Sequence, residues 1–124
     1  MYEFLLITCA ASLGANFRFI IYKILEKKKF SKYFIIVLIN TFSSFLLGLF
    51  ISFQAQIASF TYSYKLGLFF SVGLLGSLST FSTFIYDLFD LFLQFKLFKA
   101  FRLFIFSLVS GLIAITIGFF LGNQ

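Results

Sequence analysis

The chain has 124 residues, of which 61% are hydrophobic and 11% charged, and its formal net charge is +6. A soluble domain of this size needs more polar surface than this composition supplies, so the sequence excludes an ordinary water-soluble fold and indicates a protein embedded in lipid. Because most basic residues flank apolar segments, where anionic lipid headgroups meet them, the charge predicts no nucleic-acid partner.

The charged residues fall in clusters that leave long apolar segments between them. A membrane helix needs about 20 mostly apolar residues. The sequence predicts four spans, approximately at residues 3–24, 33–54, 66–94 and 100–121. The first is interpreted as a span and not as a signal peptide, because its first charge is Glu3 and not a basic cluster. We expect one all-α integral membrane domain over residues 1–124.

The connections between the predicted spans differ strongly in charge. Eight basic residues lie in or beside the first and third connections: Lys23, Lys27, Lys28, Lys29, Lys32, Lys96, Lys99 and Arg102. The second connection holds only Lys65. Because basic loops remain in the cytoplasm, we expect both termini outside and a chain that inserts in one orientation.

Polar residues inside the first two spans admit two interpretations. In the first span Gly14 and Arg18 share a face, and Arg18 either extends its charge to the interface or raises the anion concentration at a pore mouth. In the second span Asn40, Ser44 and Gly48 follow at four-residue steps, a pattern typical of close helix packing. The Asn40 amide carries donors and an acceptor that require partners, so a pore-facing Asn40 stays open.

The third span is interrupted by small and hydroxyl-bearing residues in the stretch GLLGSLSTFSTF, residues 73–84. Glycine weakens a helix, and Ser and Thr side chains capture backbone groups. We therefore expect the helix to break among Gly73, Gly76, Ser77, Ser79 and Thr80. Irregular backbone at membrane depth is tolerated where it is buried in protein or lines a wet cavity, and there its carbonyl groups can hold a cation.

Phe81 and Phe84 follow the expected break three residues apart and share a face if this half of the span is helical. The edge of a phenyl ring is its positive side. Two rings presented edge-on can therefore contact a small anion and still release it, as conduction requires. In a chain with 23 Phe residues, packing is the alternative interpretation.

Polar residues at the end of the third span and in the fourth have mainly structural interpretations. Asp87 and Asp90 are expected to cap charge at the interface or to pair with Lys96 and Lys99. The fourth span repeats the small-residue stripe of the second, for which close packing is the default, with Ser107, Gly111 and Gly118.

Four motifs together resemble the CrcB/Fluc fluoride channels, small four-helix proteins that work as antiparallel dimers. GANFRF (14–19) is similar to the glycine-to-arginine signature of the family's first helix, and LINTFSSFLLGLF (38–50) to the pattern around a pore asparagine. GSLSTFSTF (76–84) is similar to the third-helix break and phenylalanine pair, and SLVSGL (107–112) lies where the fourth helix supplies a polar track.

The resemblance implies a fluoride-specific channel, not an enzyme, that passively exports fluoride and lowers its cytoplasmic concentration. By position it implies fluoride contact by Phe81 and Phe84, with Asn40 beside the pathway and Arg18 at the vestibule. Hydroxyl donors along the pathway are implied at Ser82, Thr83 and Ser107. A multi-pass protein of a bacterial cell (inner) membrane is the expected setting.

The resemblance also implies a structural sodium ion, not transported, at the dimer centre. Its ligands would be the backbone carbonyls of Gly76 and Ser79 from each subunit. Ser79 replaces the family's usual threonine, which a carbonyl ligand tolerates, and Ser77 and Leu78 replace a Gly-Phe pair. Asp87 stands where the family commonly has a glutamate.

Two positions of the fourth span thin the polar track. Leu103 stands where a pore tyrosine is common and Gly111 where a hydroxyl occurs, so one pore of the dimer is expected to be impaired. Homodimers of this family insert in both orientations, which requires nearly balanced basic loops. The charge bias and the thinned track together predict an antiparallel heterodimer with a paralogous subunit of opposite orientation.

Two other functions compete with the channel. A small multidrug-type proton-coupled exporter needs a membrane-embedded carboxylate, and the middle of the first span has none. A non-conducting accessory subunit of a heterodimeric channel is favoured only if the thinned track is inactive. Catalysis is not expected, because the chain has no histidine and its four carboxylates are peripheral.

Overall fold

The computed structural model describes all 124 residues, and every regular element in it is helical. Four helical rods are long and apolar enough to cross a membrane: Tyr2–Lys27, Lys32–Gln56, Ser63–Leu93 and Leu97–Gly122. The predicted all-α fold with four spans and an interrupted third one is confirmed. Several rods extend a few residues beyond the predicted spans, because lysines such as Lys27 continue the helix while their charge reaches the aqueous interface.

The first two rods are joined by a tight turn. Helix α1 (Tyr2–Lys27) ends where Lys29 takes a left-handed backbone conformation, with a φ of 62°. Helix α2 (Lys32–Gln56) begins at once, because the Ser31 hydroxyl accepts a 3.3 Å hydrogen bond from the Phe34 N–H. Such a cap satisfies one of the free donors of a helix N-terminus. The turn therefore makes α1 and α2 antiparallel neighbours.

The third rod consists of several pieces. It begins as α3 (Ser63–Gly67), continues as a π-helical segment (Leu68–Leu75) and a short α4 (Gly76–Leu78), and resumes as α5 (Phe81–Leu93). Between α4 and α5 the backbone of Ser79 is extended, with φ −69° and ψ 149°, and that of Thr80 is irregular. The break is thus narrower than expected, because Gly73, Gly76 and Ser77 remain helical.

Helix α6 (Leu97–Gly122) packs along α2 through small residues. A Cβ atom added at Gly48 would collide with the carbonyl oxygen of Ile115, and one added at Gly118 would collide with the carbonyl oxygen of Phe45. The two backbones therefore approach closely in both directions, as small-residue stripes allow in membranes. The packing interpretation of Gly48 and Gly118 holds in the structure.

Helix α1 packs against the first half of the third rod, just before the break. Gly14 faces the Leu74 carbonyl and the Ser77 hydroxyl so closely that a Cβ atom would collide with both. A Cβ atom at Gly73 would lie 2.5 Å from the Ala10 Cβ. Only 20 of the 124 residues are buried, so most of the apolar surface faces lipid or another chain.

Candidate functional site

The break in the third rod is held by a side chain of α2. The Thr80 N–H donates a 2.7 Å hydrogen bond to Asn40 Oδ1, and the Thr80 hydroxyl lies 3.5 Å from the same oxygen. Thr80 is buried, with 6% of its surface exposed. The Asn40 oxygen therefore has a structural partner, whereas its NH2 group donates to no protein atom and is free for a ligand. Asn40 is half-buried.

The same hydrogen bond changes the backbone around it. Because the Thr80 N–H points to Asn40, the Gly76 carbonyl loses the helical donor four residues ahead. The Ser79 carbonyl also receives no backbone N–H, and the Gly76 oxygen has only the Ser79 hydroxyl at 3.4 Å. Gly76 is exposed and Ser79 half-buried. Two carbonyl oxygens at the break are thus free to hold a cation.

The predicted phenylalanine pair lies in the first turn of α5. One ring is buried within the chain and the other is exposed on its surface. Phe84 is buried, with 7% of its surface exposed, whereas Phe81 is 75% exposed. The hydroxyl-bearing residues between them, Ser82 and Thr83, are exposed as well. One chain alone therefore does not enclose a path past both rings.

Arg18 lines a cavity beside the break. The cavity has a volume of about 230 Å³ and is lined by residues that include Arg18, Tyr22, Thr80 and Thr83. Arg18 is half-buried and takes part in neither ion pair of the structure. An unpaired guanidinium beside three hydroxyl-bearing residues favours an anion in this cavity. The structure thus brings Arg18, Thr80 and Thr83 together.

Hydroxyl groups connect α2 with α6. The hydroxyl oxygens of Thr41 and Ser110 lie 3.0 Å apart, and the Ser110 hydroxyl donates to the Ser107 carbonyl at 3.1 Å. Ser107 is half-buried and takes part in this group through its backbone carbonyl and not through the hydroxyl that was predicted as a donor. Sequence reasoning missed Thr41 and Ser110, although both are hydroxyl residues inside the two motifs that it singled out.

The carboxylates at the end of the third span have a different partner from the one predicted. Lys32 Nζ lies 3.4 Å from Asp87 Oδ1 and 3.6 Å from Asp90 Oδ2. Pairing with Lys96 and Lys99 is therefore wrong. The chain reverses at Phe95, where φ is 56°, so both lysines belong to the start of α6, while the first turn of α2 lies beside α5.

Asp87 is the most deeply buried charged residue of the chain, with 3% of its surface exposed. One of its carboxylate oxygens, Oδ1, faces Lys32, and the other, Oδ2, is buried without a hydrogen-bond partner. Asp87 follows Phe84 by three residues on α5, so the two side chains are neighbours on one helix face. A buried charge therefore lies beside the buried ring of the phenylalanine pair.

Comparisons with known proteins agree with these features. Residues 5–119 match the family model described as CrcB-like protein, Camphor Resistance (CrcB). The chain is also similar to a protein of Prochlorococcus marinus (strain NATL2A) named Fluoride-specific ion channel FluC 2. The two are 55% identical over 124 residues, and the alignment covers 100% of each.

Proposed function

Because this chain belongs to the CrcB/FluC family of ion channels, we propose that it conducts fluoride passively out of the cell and lowers the cytoplasmic fluoride concentration. Membership of a channel family also means that the chain is a multi-pass membrane protein and not an enzyme, as the sequence predicted. Fluoride that enters as neutral HF dissociates in the cytoplasm and must leave as an anion. The membrane potential drives that exit.

The observation that carries the proposal is the hydrogen bond from the Thr80 N–H to Asn40 Oδ1 at the break. It holds α5 so that its first turn, with Phe81 and Phe84, begins next to the amide of Asn40. The free NH2 group is a hydrogen-bond donor for fluoride, and the ring edges carry the positive side of the phenyl quadrupole. Dehydration is thereby compensated without a formal charge that would trap the ion.

The remaining polar groups supply a vestibule and further hydrogen-bond donors for the pathway. The cavity at Arg18 serves as the vestibule that concentrates anions next to the break. Hydroxyl groups of Ser82 and Thr83 are exposed on α5, and Ser107 lies on α6. We assign these three residues to the pathway as hydrogen-bond donors.

We propose further that the carbonyls of Gly76 and Ser79 hold a structural sodium ion. The donor set fits this ion, because both oxygens lack backbone donors and hard cations prefer oxygen ligands. Two carbonyls from one chain are too few for a stable site, and the exposure of Gly76 leaves room for the same pair from a second chain. When bound, sodium would supply fixed positive charge that keeps the two breaks together.

The exposure of Phe81, Ser82 and Gly76 supports an antiparallel dimer in which a second chain completes both sites. The charge bias supports a partner of opposite orientation in the bacterial cell (inner) membrane, with the termini of this chain outside. Eight basic residues in the first and third connections against one in the second leave little freedom of insertion.

A charge-balanced variant tests the function and the need for a partner together. The variant moves three charges: Lys27, Lys28 and Lys29 are replaced by Gln, and the exposed Ala58, Ser59 and Thr61 are replaced by Lys. Five basic residues then remain at the first and third connections, against four at the second. All residues of the proposed pathway stay unchanged. We expect this variant to insert in both orientations and to form its own antiparallel dimer.

Fluoride efflux from liposomes, followed with a fluoride electrode, is the measurement. We expect rapid efflux from the balanced variant and little from the unchanged chain alone. Rapid efflux from the unchanged chain would show that no partner is needed. A folded, dimeric balanced variant without efflux would contradict the channel and favour a non-conducting accessory subunit.

A further inference from the structure

We infer that Lys32 is a positioning residue that keeps the fluoride pathway open by neutralising Asp87, an inference that rests on the proposed function. The pair joins two helices, since Lys32 is the first residue of α2 and Asp87 lies in α5. Lys32 lies outside all four family motifs.

Asp87 has the position and the environment to obstruct an anion. It lies one turn beyond Phe84 on the same face of α5, at the neighbour spacing of about 5–6 Å between Cβ atoms. Both side chains are buried, with exposures of 3% and 7%. Because Asp87 Oδ2 has neither water contact nor a hydrogen-bond partner, solvent screens this charge weakly. A bare carboxylate here would repel fluoride from the Phe84 ring.

Lys32 is the one cation that pairs with this carboxylate. Its ammonium group lies 3.4 Å from Asp87 Oδ1, and no other basic side chain forms an ion pair in the structure. The Tyr33 ring, 5.0 Å from the same nitrogen, gives the ammonium a second favourable contact. Asp90 also faces Lys32, but its side chain is 32% exposed and therefore better screened.

The pair differs from an ordinary surface salt bridge in what its loss would do. Half of the Lys32 side chain is in contact with solvent, at 44% exposure, so it can be replaced without opening a cavity. Its removal would leave Asp87 without its nearest counter-charge next to the pathway, where the ionised carboxylate repels fluoride. At an effective dielectric constant of about 20, a unit charge within about 10 Å of an ion site changes the occupancy of that site at least about tenfold.

Fluoride flux as a function of fluoride concentration tests this inference in the charge-balanced background. Lys32→Gln is expected to raise the half-saturating fluoride concentration at least about tenfold. The double variant Lys32→Gln/Asp87→Asn, in which both charges are absent, is expected to return to within about threefold of its parent. Lys96→Gln removes the same charge from the same side at an exposed, unpaired residue and should leave the value unchanged.

A purely structural role predicts a different result. If Lys32 only secures the fold, Lys32→Gln reduces the amount of folded dimer, but the surviving channels keep the half-saturating concentration of the parent, and the inference is overturned. If Lys32→Gln does not fold, Asp87→Asn decides, because Lys32 then keeps only the more exposed Asp90 as a counter-charge. We expect that variant to lower the half-saturating concentration, and an unchanged or higher value overturns the inference. A parent without fluoride flux overturns the proposed function, and this inference with it.

Discussion

Replacing Asn40 by alanine is expected to loosen the break in the third rod. The substitution removes the acceptor of the 2.7 Å hydrogen bond from the Thr80 N–H and leaves that donor buried, since Thr80 is 6% exposed. An unsatisfied buried donor costs about 1–3 kcal/mol. If local opening accounts for this cost, the Thr80 amide opens roughly 5- to 150-fold more often, at 1.4 kcal/mol per factor of ten.

Hydrogen exchange at the Thr80 amide measures this opening directly. Asn40→Ala should accelerate exchange by the factor above. Asn40→Asp keeps an oxygen in place of Oδ1, so exchange at Thr80 should stay close to the unchanged chain. Both variants should lose fluoride flux, because neither presents an amide N–H to the anion and the aspartate adds a repelling charge.

Ser44→Ala is the matched control. Ser44 lies one turn further along α2, and its hydroxyl donates only to the Asn40 backbone carbonyl at 2.9 Å. Its removal should leave exchange at Thr80 unchanged. Unaltered exchange in Asn40→Ala would refute the role of the Asn40–Thr80 hydrogen bond. It would imply that the Thr80 N–H can donate to the Gly76 carbonyl instead, so that the third rod closes into a continuous helix.

Three further substitutions test the other parts of the site. Phe81→Ile should abolish fluoride flux in the charge-balanced background and leave insertion intact, whereas Phe120→Ile, at a ring 65% exposed on α6, should preserve flux; equal flux in both variants would remove Phe81 from the pathway. Gly48→Val should lower the free energy of unfolding of the detergent-solubilised protein by about 1–3 kcal/mol, because the larger side chain overpacks against α6. Gly111→Ala should not lower it, because the added Cβ meets only the Ser44 hydroxyl at 3.5 Å. We expect stability to rise with sodium concentration and Ser79→Ala to retain this dependence, because the proposed ligand is the Ser79 carbonyl; loss of the dependence in this variant would assign the ion to the hydroxyl.

The sequence predicted the features that local composition encodes. Apolar length defined the four rods, and the run of Gly, Ser and Thr after Val72 located the break to within a few residues. The π-helical segment Leu68–Leu75 was not predicted, because its residues are ordinary for a membrane helix and its hydrogen-bond register depends on packing against α1. Local patterns do not report such a register.

The pairings that organise the site were beyond sequence reasoning for the same reason. Asn40 and Thr80 are 40 positions apart, and Thr41 and Ser110 are 69 apart. The four-residue spacing on α2 indicates a polar face. Which atoms contact that face depends on how the third rod and α6 pack against α2, and the sequence spacing does not contain this information. The sequence places Lys32 beside the basic first connection, and it leaves two expectations for Asp87, to cap charge at the interface or to pair with Lys96 and Lys99. The charge pattern gives an expected orientation in the membrane, which stays a prediction, and it does not identify the partner of Asp87.

The structure weakens the hypothesis that one pore of the dimer is impaired. That hypothesis rested on two missing polar groups of the fourth span, at Leu103 and Gly111. A side chain at Gly111 would begin 3.5 Å from the Ser44 hydroxyl, so α2 already presents a hydroxyl where α6 lacks one. At Leu103 hydroxyl-bearing residues are also close by, because Ser31 and Tyr33 line the same cavity as Leu103. This cavity has a volume of about 360 Å³ and is also lined by Lys99 and Arg102, whose charges attract anions. Hydroxyl-bearing residues of other elements therefore lie near both positions, and the impaired pore stays a prediction.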